Sequence, residues 1–127
     1  MTRILFVGQQ PETVDFSDPV LPRGITAEQI HAGIGVAMAA MAGRGWQADA
    51  LMIPPDDTAG PMIEKQLDKT PYDCVVIGAG IRVPPKSLWL LETVINAVRK
   101  AAPKAAIAFN TRPEDTADAA ARWLAAG

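Results

Sequence analysis

The sequence predicts a three-layer α/β fold in which a four-stranded parallel sheet, of order 2-1-3-4, carries two helices on each face. Four short apolar segments alternate with four helical patterns over 127 residues, as in parallel strands joined by helical crossovers. The first and third apolar segments are hydrophobic on both sides, so both faces of the sheet need a cover. Right-handed crossovers in the order 1-2-3-4 would leave one face largely bare, which favours the order 2-1-3-4.

Each predicted element has a local signal. The first strand is an apolar run, and the first helix begins with the capping-box spacing of Thr26 and Gln29. Paired prolines close the second strand and precede the third helix. The fourth strand is rich in alanine, which suits a sheet edge, and Thr111 and Glu114 repeat the capping-box spacing. Within one domain, residues 1–127, the strands are predicted at residues 3–8, 48–53, 72–78 and 105–109, and the helices at residues 26–42, 58–69, 86–101 and 111–126.

Composition excludes several classes of function. The net charge of −2 provides no basic field for nucleic acid. A single cysteine excludes an internal disulfide, and one cysteine with one histidine argues against a zinc site. No apolar stretch approaches the ~20 residues that span a bilayer. The first apolar run is too short for a signal peptide, so a cytoplasmic location is expected. No motif indicates a particular cofactor.

The order of elements resembles a shortened flavodoxin-like or Rossmann-like domain along the whole chain. Two segments are also similar to a family of small bacterial α/β proteins, namely Ile77-Gly-Ala-Gly-Ile-Arg82 and Phe109-Asn-Thr-Arg-Pro-Glu-Asp-Thr116. The resemblance implies the fold, and it implies no particular chemistry.

Glycines at the ends of the first and third strands invite a phosphate-binding interpretation, which the sequence does not support. A dinucleotide fingerprint containing Gly78 and Gly80 would need a third glycine at Val83. A phosphate loop after the first strand would need small residues, and Gln9 and Gln10 stand there. The glycines are therefore interpreted as a sharp turn at a strand end.

Two side chains, Cys74 and His31, are candidate catalytic groups. Cys74 lies in an apolar strand, where burial makes a thiol inert, so a structural role is favoured. His31 lies one turn into the first helix, without a serine or cysteine nucleophile near it in the sequence. A half-buried histidine hydrogen-bonded to a loop is favoured over a general base.

A ligand is expected at the carboxyl edge of the sheet between the first and third strands, because the strand order reverses there. The segment of residues 9–25 beside this point is longer than the roughly 12–15 residues usual for a structureless loop. Arg23, Arg82, Lys86 and Arg112 all fall at this edge. The hypothesis is a small anionic ligand, a phosphate or carboxylate compound, held by Arg82, Arg112 and backbone N–H groups. The candidate ligand-binding residues are Gln9, Gln10, Gly78, Gly80, Arg82, Asn110, Thr111 and Arg112.

Two function classes stay open from the sequence. One is a dimeric small-molecule-binding or assembly module without catalysis. The other is an enzyme acting on a small anionic substrate, with His31 as general base and Arg82 and Arg112 as anion clamps. The enzyme requires all three side chains to converge on one pocket.

The first helix predicts a partner. From Ile30 to Ala42 it contains no charged residue apart from the ionisable His31, and the side opposite its core stripe is apolar as well. A helix that is apolar all round is normally buried all round. A homodimer through the first and fourth predicted helices is therefore expected. Trp89 lies off the core face of the third helix and is expected to pack beneath a loop or a partner.

Overall fold

The computed structural model describes residues 1–124 and contains a four-stranded parallel sheet of order β2-β1-β3-β4. The predicted strand order is confirmed. The strands are β1 (Arg3–Gln9), β2 (Gln47–Ile53), β3 (Cys74–Ile77) and β4 (Ala106–Phe109). The helices are α1 (Ala27–Gly43), α2 (Ala59–Lys69), α3 (Ala79–Arg82), α4 (Leu88–Ala101) and α5 (Thr116–Leu124). Short 3-10 turns occupy Pro11–Thr13, Pro85–Ser87 and Pro113–Asp115.

Alternate residues of the central strands belong to two separate hydrophobic cores, one on each face of the sheet. Leu5 and Val7 of β1 point to the face covered by α2 and α4, where they join Ile63 and Leu90. The intervening side chains face the other way, onto α1 and α5. The strand period of two therefore gives both faces an apolar surface, as the sequence predicted. The residues of this second core are Ile4, Phe6, Ala37, Met41, Cys74, Val76, Ala108, Ala117, Ala119 and Ala120.

The end of the third strand differs from the prediction. β3 is shorter than expected, and the segment Gly78-Ala-Gly80 leads directly from the end of the strand into the short helix α3. Of the glycines in residues 1–124, only Gly24 and Gly45 have a positive φ. Gly78 packs closely against β1, since a Cβ there would lie 3.4 Å from the carbonyl oxygen of Val7, at the limit of ordinary van der Waals contact.

The two predicted capping boxes have different outcomes. At α1 both bonds are present: the Gln29 N–H donates to Thr26 Oγ1 at 3.2 Å, and the Thr26 N–H donates to Gln29 Oε1 at 3.0 Å. At the second box the predicted pairing of Thr111 with Glu114 is wrong, because Thr111 bonds Asp115. A 3-10 turn precedes α5 and shifts the acceptor by one residue. The predicted end of this helix at residue 126 lies outside the described residues.

Within residues 1–124, no helix is both long enough and apolar enough to cross a membrane.

Candidate functional site

The crevice at the carboxyl edge of the sheet is covered by a long loop, residues 10–25. β1 and β3 are neighbours in the sheet, and because Val7 pairs with Ile77, Gly8 and Gly78 follow at the same level at the carboxyl edge. The loop begins with a backbone bond from the Gln10 N–H to the Ile53 carbonyl, at 2.9 Å. Gln9 holds the first turn of the loop, since its Nε2 donates to Thr13 Oγ1 at 3.1 Å. The loop therefore starts above the point where the strand order reverses.

The long loop is tied to the helices on both sides of the crevice. Glu12 bonds Nε2 of His31 on α1 at 2.5 Å, and this bond holds the pKa of Glu12 below its usual range. On the opposite side, Lys86 pairs with Asp15 and lies 3.7 Å from Asp18. The Lys86 ammonium, with a smaller contribution from Ser17, lowers the pKa of Asp15 to about 2.

Beneath the loop are two cavities. Val14 and Leu21 line both of them, and so do Gln9 and Gly80. The loop side chains thus form a partition across the crevice. The α1-side cavity has a volume of about 210 Å³ and is bounded by the sheet, α1, the long loop, α3 and the segment before α5. The α4-side cavity has a volume of about 230 Å³ and is bounded by the loop and the start of α4.

The α1-side cavity is mainly apolar. Phe6 and Met52 from the sheet form part of its floor, and Ile30 and Ile34 from α1 form one wall. Its polar residues are Gln9 at the end of β1 and the segment Asn110-Thr-Arg112 after β4. Most of the candidate ligand-binding residues lie here, namely Gln9, Gly78, Gly80, Asn110, Thr111 and Arg112.

Gln10 and Arg82 do not line either cavity. The Gln10 backbone bonds the end of β2, as described above. One guanidinium nitrogen of Arg82 donates to the Asn110 carbonyl at 3.1 Å, and the group lies over the Phe109 ring at 6.0 Å. Arg82 therefore holds the end of β4 in place, and the expected pair of arginine clamps does not line one cavity.

Asn110 connects two of the elements that surround the α1-side cavity. It is 1% exposed, and its Oδ1 accepts a hydrogen bond from the Ala79 N–H at 2.8 Å. Its Nδ2 donates to Thr116 Oγ1 at 3.0 Å. One side chain therefore ties the start of α3 to the start of α5. Because both groups are already bonded, Asn110 shapes the cavity and does not need a ligand to be satisfied.

Arg112 is the cationic side chain of the α1-side cavity. Its backbone N–H, at 3.3 Å, and that of Thr111, at 3.0 Å, both donate to Asp115 Oδ1. Burial raises the pKa of Asp115, but these bonds and the Thr111 hydroxyl outweigh it, so the pKa is lowered overall. Within residues 1–124 the guanidinium of Arg112 forms no ion pair.

The α4-side cavity has a different electrostatic character. Asp15 and Asp18 line it together with Lys86, so two carboxylates face one ammonium and the cavity is slightly negative. Trp89 lines it as well and remains 46% exposed. The described residues therefore do not bury Trp89 beneath a loop, and packing against a partner stays a prediction.

The two catalytic candidates lie apart from the cavities. The His31 side chain is 53% exposed and bonded to the loop, as the favoured interpretation expected, and it lines neither cavity. Of the three groups required by the enzyme hypothesis, only Arg112 lines the α1-side cavity. Cys74 is buried, and burial, with a contribution from Asp73, raises the pKa of its thiol to about 11. A protonated buried thiol is unreactive.

Sequence reasoning missed the apolar walls. Val14, Ile34 and Met52 come from the loop, α1 and β2, and nothing in the local sequence joins them. The apolar residues of the loop could have indicated that the loop covers the crevice. The structure buries Val14 and Leu21 in part, whereas Phe16 and Val20 are 39% and 43% exposed.

Among residues 1–124, no group of three or more histidine, cysteine, aspartate or glutamate side chains is arranged to hold a metal ion. No protein-family model matches the chain, and no curated protein is significantly similar to it. The geometry and chemistry of the two cavities are what indicates a function.

Proposed function

We propose that this chain is a small-molecule-binding domain whose ligand occupies the α1-side cavity. The observation that carries the proposal is an apolar cavity at the reversal point of the strand order, closed by a loop that is tethered on both sides. Open α/β sheets bind ligands at this point. Small-molecule sites typically combine apolar walls with a few polar groups, as this cavity does.

The structure favours binding over catalysis. A general base must come within hydrogen-bond reach of its substrate, and His31 is instead exposed and paired with Glu12. Lys86, the cation of the α4-side cavity, is likewise engaged by carboxylates. A cytoplasmic location and a bacterial source stay predictions from the sequence.

A cavity-filling variant tests the proposal. A Cβ at Gly80 would meet no atom within 4 Å, and its φ is not in the left-handed region, so Gly80→Leu fits the backbone and fills the space where the cavities meet. Millimolar benzyl alcohol and hexanoate should raise the Tm of the wild type, because a ligand that binds only the folded state stabilises it. Gly80→Leu should abolish the rise.

Gly43→Leu is the matched control, since Gly43 also has open space around it but lies at the end of α1. It should respond to both probes as the wild type does. Absence of any stabilisation in the wild type, or an undiminished response in Gly80→Leu, would contradict a ligand site in this cavity.

We also propose that two copies of the chain associate through the outer surface of α1 and α5. The exposed side of α1 consists of small or apolar residues, and Val36 is 52% exposed. Trp123 on α5 is 62% exposed. Exposed apolar surface of this kind is typical of a protein interface. The exposed residues of this α1 surface are Ala32, Gly35, Val36, Ala39, Ala40 and Ala42.

The helix dipole favours a second copy as the occupant. A two-fold axis across the middle of α1 would set two α1 helices antiparallel, so that their dipoles oppose favourably. Arg44, which is exposed just past the end of α1, is already paired with Asp118 of α5 at 2.7 Å and would keep this pair.

Light scattering at micromolar concentration tests the association, with a dimer expected. Ala39→Glu should give a monomer, because it places a charge in the centre of the proposed interface. Asn96→Glu, on the exposed side of α4, should leave the dimer unchanged. A wild type that is monomeric, or an Ala39→Glu variant that stays dimeric, would contradict the proposed interface.

A further inference from the structure

We propose that the ligand of the α1-side cavity is a small apolar monocarboxylate whose carboxylate binds Arg112. The proposal rests on the proposed function, and it adds the chemical class of the ligand and the residue that selects it. Three properties of the cavity carry it: its size, the charge left unpaired beside it, and the position of that charge at the mouth.

Size limits the ligand. Typical sites for drug-sized molecules occupy roughly 300–1,000 Å³, and this cavity has about 210 Å³. This volume lies below that range, so the part of the ligand inside the cavity should be small. That part should also be apolar, because the walls of the cavity are Phe6, Ile34, Met52 and similar side chains.

The unpaired positive charge lies on the α1 side of the partition. In the α4-side cavity the ammonium of Lys86 is already engaged by Asp15 and Asp18. A further anion there would face two carboxylates. In contrast, the guanidinium of Arg112 pairs with no carboxylate in the described part of the chain. Asp115 accepts hydrogen bonds from the backbone N–H groups of Thr111 and Arg112, and Glu114 lines the surface groove beside Arg112 without forming an ion pair with it.

Arg112 stands at the mouth of the cavity. Outside it lies an open surface groove of about 530 Å³, and Arg112 lines both the groove and the cavity. Pro22, Ile25, Ile30 and Pro113 are also shared between the two. A carboxylate on Arg112 would thus stay near water while the apolar body enters the cavity. This arrangement avoids the cost of burying an unpaired charge.

A single arginine suits a monocarboxylate better than a phosphate. A guanidinium and a carboxylate form a planar, bidentate pair that neutralises both charges. A phosphate dianion would need a second cation. Arg82, the other candidate, is turned to the Asn110 carbonyl and lines neither cavity.

Calorimetric titration with matched ligands tests the class. Hexanoate and hexanamide have nearly the same shape and differ in charge, and inorganic phosphate has the charge without the apolar body. At constant ionic strength, hexanoate should bind wild type at least about tenfold more tightly than hexanamide, because a charge-assisted bidentate pair replaces a neutral one. Phosphate should not bind.

Two variants assign the selectivity. Arg112→Gln should reduce hexanoate affinity to that of hexanamide and leave hexanamide affinity unchanged. Arg82→Gln removes the same charge from the same edge of the sheet and should keep the wild-type ratio. Equal affinities in wild type, phosphate binding, or loss of selectivity in Arg82→Gln but not in Arg112→Gln would overturn the inference and leave the binding function intact. If neither hexanoate nor hexanamide binds, the proposed function itself fails.

Discussion

The two faces of the sheet are built in different ways. On the α2/α4 face, large side chains such as Ile63, Leu67 and Leu90 fill the space between helices and strands. The outer surface of these helices is charged, and Lys100 pairs with Glu64 at 2.8 Å. On the α1/α5 face, the helices contribute mainly alanine to the core, and the outer surface of α1 carries no charge in its central part.

The difference indicates where the molecule interacts with others. On the α2/α4 face the middle of the helices has apolar atoms inside and charges outside, whereas the exposed apolar side chains of α4, Leu88 and Trp89, lie at its start beside the α4-side cavity. The α1/α5 face brings its helices close to the sheet by using small residues, and it leaves both an apolar cavity at one end and an apolar surface on the outside. Both the proposed ligand and the proposed second copy lie on this side of the sheet.

The largest effect is expected for a truncation in the core of the α2/α4 face. Leu90 is fully buried in the α2/α4 core, so Leu90→Ala should lower the free energy of unfolding by about 2–5 kcal/mol through lost burial and an added cavity. Urea denaturation measures this. A loss below about 1 kcal/mol would show that this face is less tightly packed than described.

Two glycines of α1 provide a matched test of the other face. A Cβ at Gly33 would lie 3.1 Å from Cβ of Pro113, whereas one at Gly35 would meet nothing within 4 Å. Gly35→Ala should therefore stabilise the fold by about 0.5–1 kcal/mol, because alanine is the better helix former. Gly33→Ala should not show this stabilisation, because the added methyl group would require Pro113 to move.

Both glycine variants are best compared by urea denaturation in the Ala39→Glu background, where association should not contribute. Equal stabilities of the two variants would contradict the close approach of α1 to the segment before α5.

The smallest effect concerns the loop tethers between the faces. The folded pKa of Asp15 is about 2, below its ordinary value of 3.8. The pair with Lys86 thus contributes stability above pH 3.8, and this contribution is lost as the pH falls toward 2. Because both groups are exposed, the contribution is small. Asp15→Asn should flatten the acid side of the stability profile slightly, and Asp57→Asn should not. Profiles that coincide for Asp15→Asn and wild type would show that the tether is broken in solution.

The sequence could predict the architecture because the relevant signals are local. Residues 4–7 and 74–77 are apolar at every position, which requires a covered sheet, and Thr26 with Gln29 marks the start of α1. Handedness then determines the order of the strands. The position of the crevice followed from that order alone.

The chemistry of the crevice could not be predicted in the same way. Arg82 and Arg112 are equivalent in sequence, since each follows a strand at the same edge. Their difference depends on the short helix α3, which turns Arg82 toward the Asn110 carbonyl. The choice of loop side chains that divide the crevice likewise depends on contacts between residues far apart in the chain. These contacts are the bond of Glu12 to His31 and the pair of Asp15 with Lys86.

An NMR titration of ¹⁵N-labelled protein with hexanoate tests the ligand site most directly. We expect shifts that cluster at residues lining the α1-side cavity alone, such as Ile30, Ile34 and Arg112, while Ile63 and Val94 on the opposite face stay unchanged. Shifts concentrated around Lys86 and Trp89 in the α4-side cavity, shifts scattered over the whole surface, or no shifts at millimolar hexanoate would contradict it.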